Sequence, residues 1–165
     1  MIYIIAIVVS YLLGSVPMGL LLTRVMGKGD LRKVGSGNIG ATNVMRVGGL
    51  CMAGLTWILD MAKAIAAVFI GKYVAGDAFG AWCGFVAIVG HCYPIYFGFK
   101  GGKAVSTLLG FVVFTNPYLF LVMFVIFVII LLSTKYVSLS SMISSVLLFA
   151  FSFIPFFKNG MIFNN

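Results

Sequence analysis

Apolar residues come along this chain in long blocks separated by short polar segments. Residues 2–22 contain no charge, and a membrane helix needs about 20 such residues, with about 17–25 the usual range. A polar stretch, 24–46, follows with five basic residues and one acid. A second block, 48–70, is interrupted only by Asp60 and Lys63, and a turn at 72–77 leads into a third block, 78–97. After the basic segment Lys100-Gly101-Gly102-Lys103, residues 104–115 make an apolar run of 12. That length fits a short, tilted or broken helix packed against protein, and Asn116-Pro117 is a turn signal. Residues 118–132 form a fifth block. Residues 134–141 are polar, and 142–157 form a sixth block closed by Lys158-Asn159-Gly160. The pattern predicts an all-α, polytopic membrane helix bundle of about six spans, built as a single domain over 1–165. The first block starts without a basic leader or a small-residue cleavage site, so it reads as a retained span and not as a signal peptide.

Composition sharpens this. Of 165 residues, 62% are hydrophobic and 8% charged, with a mean hydropathy of +1.18; soluble domains average roughly 45–50% apolar and about 25% charged. A water-soluble fold of this size cannot hide so much apolar surface. The formal net charge of +8 does not indicate nucleic acid, because the charges lie between apolar runs and not on a polar domain. They sort by side instead. With the N-terminus outside and the spans alternating, the inner loops hold Arg24, Lys28, Arg32, Lys33, Arg46, Lys100, Lys103 and Lys135, eight in all, against Lys72 and Lys158 outside. That asymmetry supports the N-outside orientation and puts every polar, glycine-rich segment on one side. The positive loops suit anionic substrates or lipid headgroups. Cys51, Cys83 and Cys92 match no zinc or redox spacing and read as apolar packing residues.

Three segments carry candidate chemistry. In Gly35-Ser36-Gly37-Asn38-Ile39-Gly40-Ala41-Thr42-Asn43, glycines let backbone N–H groups turn toward one point, a geometry that binds anions beside a helix N-terminus. Arg46 is placed to grip a phosphate with two parallel bonds. The Gly-Lys-Ser/Thr ending of a Walker A loop is absent; an interhelical loop with caps is the plain alternative. The second segment runs from Gly90-His91-Cys92-Tyr93-Pro94 to Gly101-Gly102-Lys103. His91, the only histidine, cannot build a metal site alone. It suits a base, a donor to an oxyanion or a helix-packing residue, and it should face the bundle interior. Lys103 ends what looks like a second anion nest, with an interfacial anchor as the alternative. The third, residues 134–141, bears Ser138, Ser140 and Ser141 ahead of an apolar run and reads equally as a helix cap. Asp60 and Lys63, three apart, share a helical face and can neutralise each other. Gly14-Ser15-Val16-Pro17-Met18-Gly19 should permit close helix packing, with the proline freeing a carbonyl.

Together these segments resemble the acyl-phosphate:glycerol-3-phosphate acyltransferases, the PlsY-type family. The resemblance rests on Gly14–Gly19 as a Gly-Ser-x-Pro-x-Gly element and on Gly35–Asn43 as an unbroken Gly-Ser-Gly-Asn-x-Gly-Ala-Thr-Asn run. It rests further on Gly90–Pro94 and Phe99–Lys103 as Gly-His-x-x-Pro and Phe-x-Gly-Gly-Lys, and on the serine-bearing stretch 136–141. It extends over nearly the whole chain; the nine-residue run is the specific element. It implies a multi-span bacterial inner-membrane enzyme with its active site facing the cytoplasm. Such an enzyme moves a fatty acyl group from acyl phosphate to the 1-hydroxyl of glycerol-3-phosphate, giving lysophosphatidic acid and phosphate for phospholipid synthesis. The partners implied are those two substrates and membrane lipids, with no nucleic acid, metal or cofactor.

On that resemblance the candidate catalytic residues are His91, Lys103 and Ser140. The candidate phosphate ligands are Ser36, Gly37, Asn38, Gly40, Thr42, Asn43, Arg46, Gly101, Gly102, Lys103 and Ser141. Family members usually continue through a seventh span and a basic tail. Met161-Ile162-Phe163 looks like the start of that span, so a chain ending at Asn165 is expected to lack the span and tail and to be catalytically incomplete. The chemistry also fits the residues. Both substrates are phosphate anions. No Ser or Cys has an evident His/Asp partner, which argues against an acyl-enzyme and for stabilisation of developing charge by cations and N–H donors. The competing reading is a membrane transporter of a phosphorylated metabolite, which intramembrane Asp60 and Lys63 and broken helices would suit. Against it, the polar segments gather on one side.

Overall fold

The computed structural model describes residues 1–154. It is helical, with no strand among the described residues. In chain order the helices are α1 (Ile2–Ser15), α2 (Met18–Val25), α3 (Ala41–Cys92), α4 (Val105–Thr115), α5 (Pro117–Thr134) and α6 (Val137–Ser152), with 3₁₀ turns at Leu31–Lys33 and Ile95–Phe97. The expected all-α membrane bundle is the architecture observed. α3 and α5 are long and apolar enough to cross a membrane, and α1 with α2 makes a third crossing if the bent pair counts as one span. The seventh span expected from Met161-Ile162-Phe163, the end of the sixth at 155–157 and Lys158-Asn159-Gly160 lie outside the described residues.

Two differences from the sequence pattern have local causes. The first block is not one rod: α1 and α2 are bent by 47° at Val16 and Pro17. Pro17 has no N–H to continue the ladder and its ring obstructs the preceding turn. The third block ends at Cys92, not at residue 97. Pro94 biases Tyr93 away from helical angles, and Tyr93 caps α3 at φ −127° and ψ 66°.

α3 is a folded chain of helices. Non-helical angles at Gly49, Ala75 and Gly76 divide it into 41–48, 50–74 and 77–92. The last two legs run back along each other: a Cβ built on Gly80 would lie 2.9 Å from the Val68 carbonyl oxygen, and one on Gly84 would press on Val68 and Phe111. Lys72 and Asp77 form an ion pair of 2.7 Å across the turn. α1 lies against this hairpin, with Tyr3 edge-on to Phe79 at 5.4 Å. Near its other end, a Cβ on Gly14 would overlap the Ala87 backbone.

These elements and the start of α4 form one compact unit, residues 1–111; the second unit covers 112–165. In the second unit α5 and α6 pack together. Asn116 starts α5 by accepting the Leu119 N–H at 3.0 Å, with Pro117 in the first turn.

The first unit is arranged as lipid requires. Ile2, Ile4, Ile5, Val8, Leu55, Ile58, Phe69, Trp82 and Phe85 face outward, while Ala6, Ser10, Ser15, Thr56, Asp60, Lys63, Ala64 and His91 are buried. Small residues at helix contacts allow the close approach that membrane helices rely on. Polar side chains return to nearby carbonyls: Ser10 Oγ donates to Ala6 O at 2.7 Å and Thr56 Oγ1 to Met52 O at 2.9 Å.

Candidate functional site

The segment between α2 and α3 is polar yet well ordered, and Asn43 is the reason. Its side chain is buried. Its Nδ2 donates to the carbonyls of Leu31 (3.1 Å), Val34 (2.9 Å) and Asn38 (2.9 Å). Its Oδ1 accepts the Ser36 N–H at 3.0 Å. One carboxamide therefore gathers four positions of the loop. Gly35 has φ +61°, and a Cβ there would overlap Asn43 Oδ1, so glycine is demanded twice over. Asn38 makes a local turn, its Oδ1 accepting the Gly40 N–H at 2.9 Å, and Gly40 then caps α3. At the start of α3 the N–H groups of Asn43 and Val44 donate to Gly40 O at 3.0 and 3.2 Å, and those of Ala41 and Thr42 precede the first bond within the helix.

Around this loop lies a small apolar core of Leu20, Leu31, Ile39, Val44 and Met52, against which Val47 and Phe97 pack. Phe97 comes from the second candidate segment. The guanidiniums of Arg24 and Arg32 lie 5.8 and 5.7 Å from the centre of its ring, within cation–π range. Asp30 joins the two arginines, 2.6 Å from Arg32 and 3.7 Å from Arg24. The side-chain hydrogen bond from Arg32, then the Arg32 backbone N–H, hold the Asp30 carboxyl well below the usual carboxylate range. The first two candidate segments are thus packed together at one end of the 1–111 unit.

The second segment is laced to the end of α3. Gly101 N–H donates to Cys92 O and Gly102 N–H to His91 O, both at 3.1 Å. A Cβ on Gly102 would overlap His91 Nε2, so the imidazole edge fills the space that only a glycine leaves. Phe99 and Ala104 take left-handed angles, φ 61° and 55°. Non-glycine residues there cost on the order of 1–3 kcal/mol each, and such strain gathers at functional sites. Lys103 sits between Gly102 and strained Ala104, exposed, and Val105 opens α4.

The predicted residues fall into distinct settings. Ser36, Gly37 and Arg46 are exposed, and Asn38, Gly40, Thr42, Gly101 and Gly102 half-buried. The Arg46 side chain lies along the loop, its Cδ 3.4 Å from where a Gly35 Cβ would stand. Asn43 is fully engaged as scaffold, with no donor left for a ligand. His91 is 4% exposed, a neighbour of the Lys103 loop and not an open-facing base. Ser140 and Ser141 belong to the second unit, where their hydroxyls donate to Tyr136 O and Ser138 O, both at 2.9 Å, in the first turn of α6.

One cluster escaped the sequence reading. The Asp60–Lys63 pair expected from spacing is present at 2.8 Å, but it has a third member. Lys63 Nζ is also 2.8 Å from His91 Nδ1 and 2.8 Å from Val16 O, the carbonyl exposed by the break at Pro17. The only signal available was one histidine and one ion pair in neighbouring apolar blocks.

Comparison with known proteins adds what geometry alone does not. Residues 4–164 match the family model described as glycerol-3-phosphate acyltransferase. A glycerol-3-phosphate acyltransferase of Rhizobium etli is 44% identical over 139 residues, 84% of this chain and 68% of the relative. One of Mesorhizobium japonicum is 45% identical over 144 residues, 87% of this chain and 73% of the relative. The fold is similar to the crystal structure of PlsY (YgiH), an integral membrane glycerol 3-phosphate acyltransferase, in its glycerol 3-phosphate form. There the TM-score is 0.87 at 37% identity, covering 94% of this chain and 78% of that one. Its lysophosphatidic acid form gives 0.84 at 35% identity, with the same coverage.

Proposed function

The chain belongs to the glycerol-3-phosphate acyltransferase family, and from that premise we propose that it takes the acyl group from acyl phosphate. The acceptor is the 1-hydroxyl of glycerol-3-phosphate, and the products are lysophosphatidic acid and phosphate. The reaction takes place at the cytoplasmic face of a bacterial inner membrane. The observation that carries this is the joining of two glycine-rich basic segments at one end of the unit, through Phe97 under Arg24 and Arg32. Both substrates are phosphate anions. The Gly35–Asn43 loop offers N–H donors at the start of α3. Arg46 and Lys103, which form no ion pair among the described residues, supply cations.

In this mechanism Arg46 with Ser36, Asn38 and Thr42 holds one phosphate, and Lys103 holds another; Gly37, Gly40, Gly101 and Gly102, expected as ligands, shape these loops instead, since their N–H groups are bonded to Val34 O, Asn38 Oδ1, Cys92 O and His91 O. The 1-hydroxyl oxygen adds to the acyl carbon and the bond from that carbon to phosphate breaks. The hydroxyl proton leaves with the departing phosphate. Phosphate is a good leaving group in a mixed anhydride, so the protein has less need of a nucleophile than of cations that offset the developing charge. The transporter alternative has no comparable support, since the two relatives described above are glycerol-3-phosphate acyltransferases.

The test is an acyl-transfer assay on the purified protein in lipid, offering acyl phosphate, acyl-CoA and an acyl carrier thioester separately. Lysophosphatidic acid should form from acyl phosphate alone. Arg46→Ala and Lys103→Ala should each raise KM for glycerol-3-phosphate about tenfold or more, because a charge-assisted hydrogen bond contributes roughly 1.5–3 kcal/mol. Product from a thioester and none from acyl phosphate would refute the donor; unaltered kinetics in both variants would refute the site.

A further inference from the structure

The buried cluster behind the second loop uses three charged or polar side chains that touch no exposed surface. Asp60, Lys63 and His91 are 1%, 3% and 4% exposed. Lys63 Nζ donates to Val16 O at 2.8 Å and lies 2.8 Å from His91 Nδ1, and it is ion-paired at 2.8 Å with Asp60 Oδ1, which stands 3.5 Å from the same Nδ1. A charged ammonium has donors and no acceptor, so with Lys63 held charged by Asp60 the facing Nδ1 must accept, and the imidazole proton is assigned to Nε2. The Nε2 edge lies against Gly102, whose N–H is bonded to the His91 carbonyl. The next residue is Lys103. The chain of contacts therefore runs from Lys63 to the imidazole, and from the imidazole to the backbone that presents Lys103.

We infer that Lys63, held by Asp60, is a positioning residue for acyl transfer: it fixes the rotation and tautomer of His91, and His91 in turn sets the Gly101–Lys103 loop. Neither Lys63 nor Asp60 reaches substrate. A buried ion pair is weak evidence of stabilisation, since desolvation offsets most of its attraction. Its geometry does explain why the imidazole stands where only a glycine fits opposite it. The contact to Val16 O adds the break between α1 and α2 to the same support, so three separate stretches of chain converge on one ammonium.

This inference rests on the reading that Lys103 holds a substrate phosphate, and its experiment separates the two. Kinetics are measured on purified enzyme in lipid for Lys103→Ala, for Asp60→Asn with Lys63→Gln (which removes both charges together), for Lys63→Arg, and for His91→Ala alone and combined with the charge-neutral pair. A loop that binds phosphate equally in ground and transition states acts on KM and not on kcat. The charge-neutral pair should therefore raise KM for glycerol-3-phosphate about tenfold with kcat within about threefold. Lys63→Arg retains the charge but cannot aim three donors from one atom, and should show the same split at about threefold. In the His91→Ala background the charge-neutral pair should add almost nothing, because residues acting in series are not additive. A lowered unfolding midpoint with KM unchanged, or effects that add fully to His91→Ala, would show the cluster to be structural only and overturn the inference. An unchanged KM in Lys103→Ala would overturn the phosphate reading, and this inference with it.

Discussion

Asn43 was a candidate phosphate ligand on residue type, and its four hydrogen bonds within the loop give it different work. A short amide looks alike in sequence whether it faces a ligand or a carbonyl, so the distinction appears only with the neighbours in place. The two roles separate in the unliganded protein. Each lost hydrogen bond costs about 0.5–1.5 kcal/mol, so Asn43→Ala should lower the unfolding midpoint measurably without substrate present. Asn43→Asp should lower it further, because a carboxylate would face the carbonyls of Leu31, Val34 and Asn38. A residue that served only as a ligand would leave the unliganded midpoint unchanged in both variants. His91 taught the converse: its burial was legible from the cost of placing an imidazole against lipid. Its partner Lys63, 28 residues away, was not.

At the scale of elements, the hydrophobic blocks located the helices well and their ends poorly. The break at Pro17 and the stop before Pro94 follow from proline, whereas the packing of α1 on the α3 hairpin needed the small residues to be seen in contact. Gly14 and Gly90 are the points of closest approach: a Cβ on Gly14 would overlap Ala87 O and one on Gly90 would overlap Tyr11 O. Gly14→Leu should force these helices apart. Overpacking costs typically about 1–3 kcal/mol, here with backbone as the obstacle, and the expected outcome is loss of monodisperse protein on extraction. The turn at Asp30 makes a second prediction, in pH. Its carboxyl is depressed in the fold, chiefly by the Arg32 side chain. The stability it contributes is therefore complete above the ordinary carboxylate pKa and is lost only as pH falls through the lower, folded value. Loop order, followed by amide exchange at Leu31–Lys33, should persist from neutrality to about pH 5 and fail in strong acid. Asp30→Asn should show increased exchange already at neutral pH.

For the molecule as a whole, the open question is which way it faces, and both charge and geometry bear on it. The leg 50–74 of α3 is about 37 Å long at 1.5 Å per residue, more than the roughly 30 Å hydrocarbon core of a bilayer. It separates two very different ends. One carries Arg24, Lys28, Arg32, Lys33 and Arg46 and, through Phe97, the segment with Lys100 and Lys103. The other carries Lys72, and that lysine is paired with Asp77. An excess of Lys and Arg is retained on the cytoplasmic side during insertion, so the glycine-rich end should face the cytoplasm and the α3 turn the outside. Single cysteines test this in a background where Cys51, Cys83 and Cys92 are replaced by serine. Val34→Cys, Tyr96→Cys and Ala75→Cys all fall at exposed positions. In intact spheroplasts a membrane-impermeant maleimide should label Ala75→Cys and spare the other two, and all three should label after permeabilisation. Labelling of Val34→Cys and Tyr96→Cys with Ala75→Cys protected would reverse the orientation. Labelling of only one of Val34→Cys and Tyr96→Cys in spheroplasts would place the two phosphate loops on opposite faces, and a site shared between them would then be impossible.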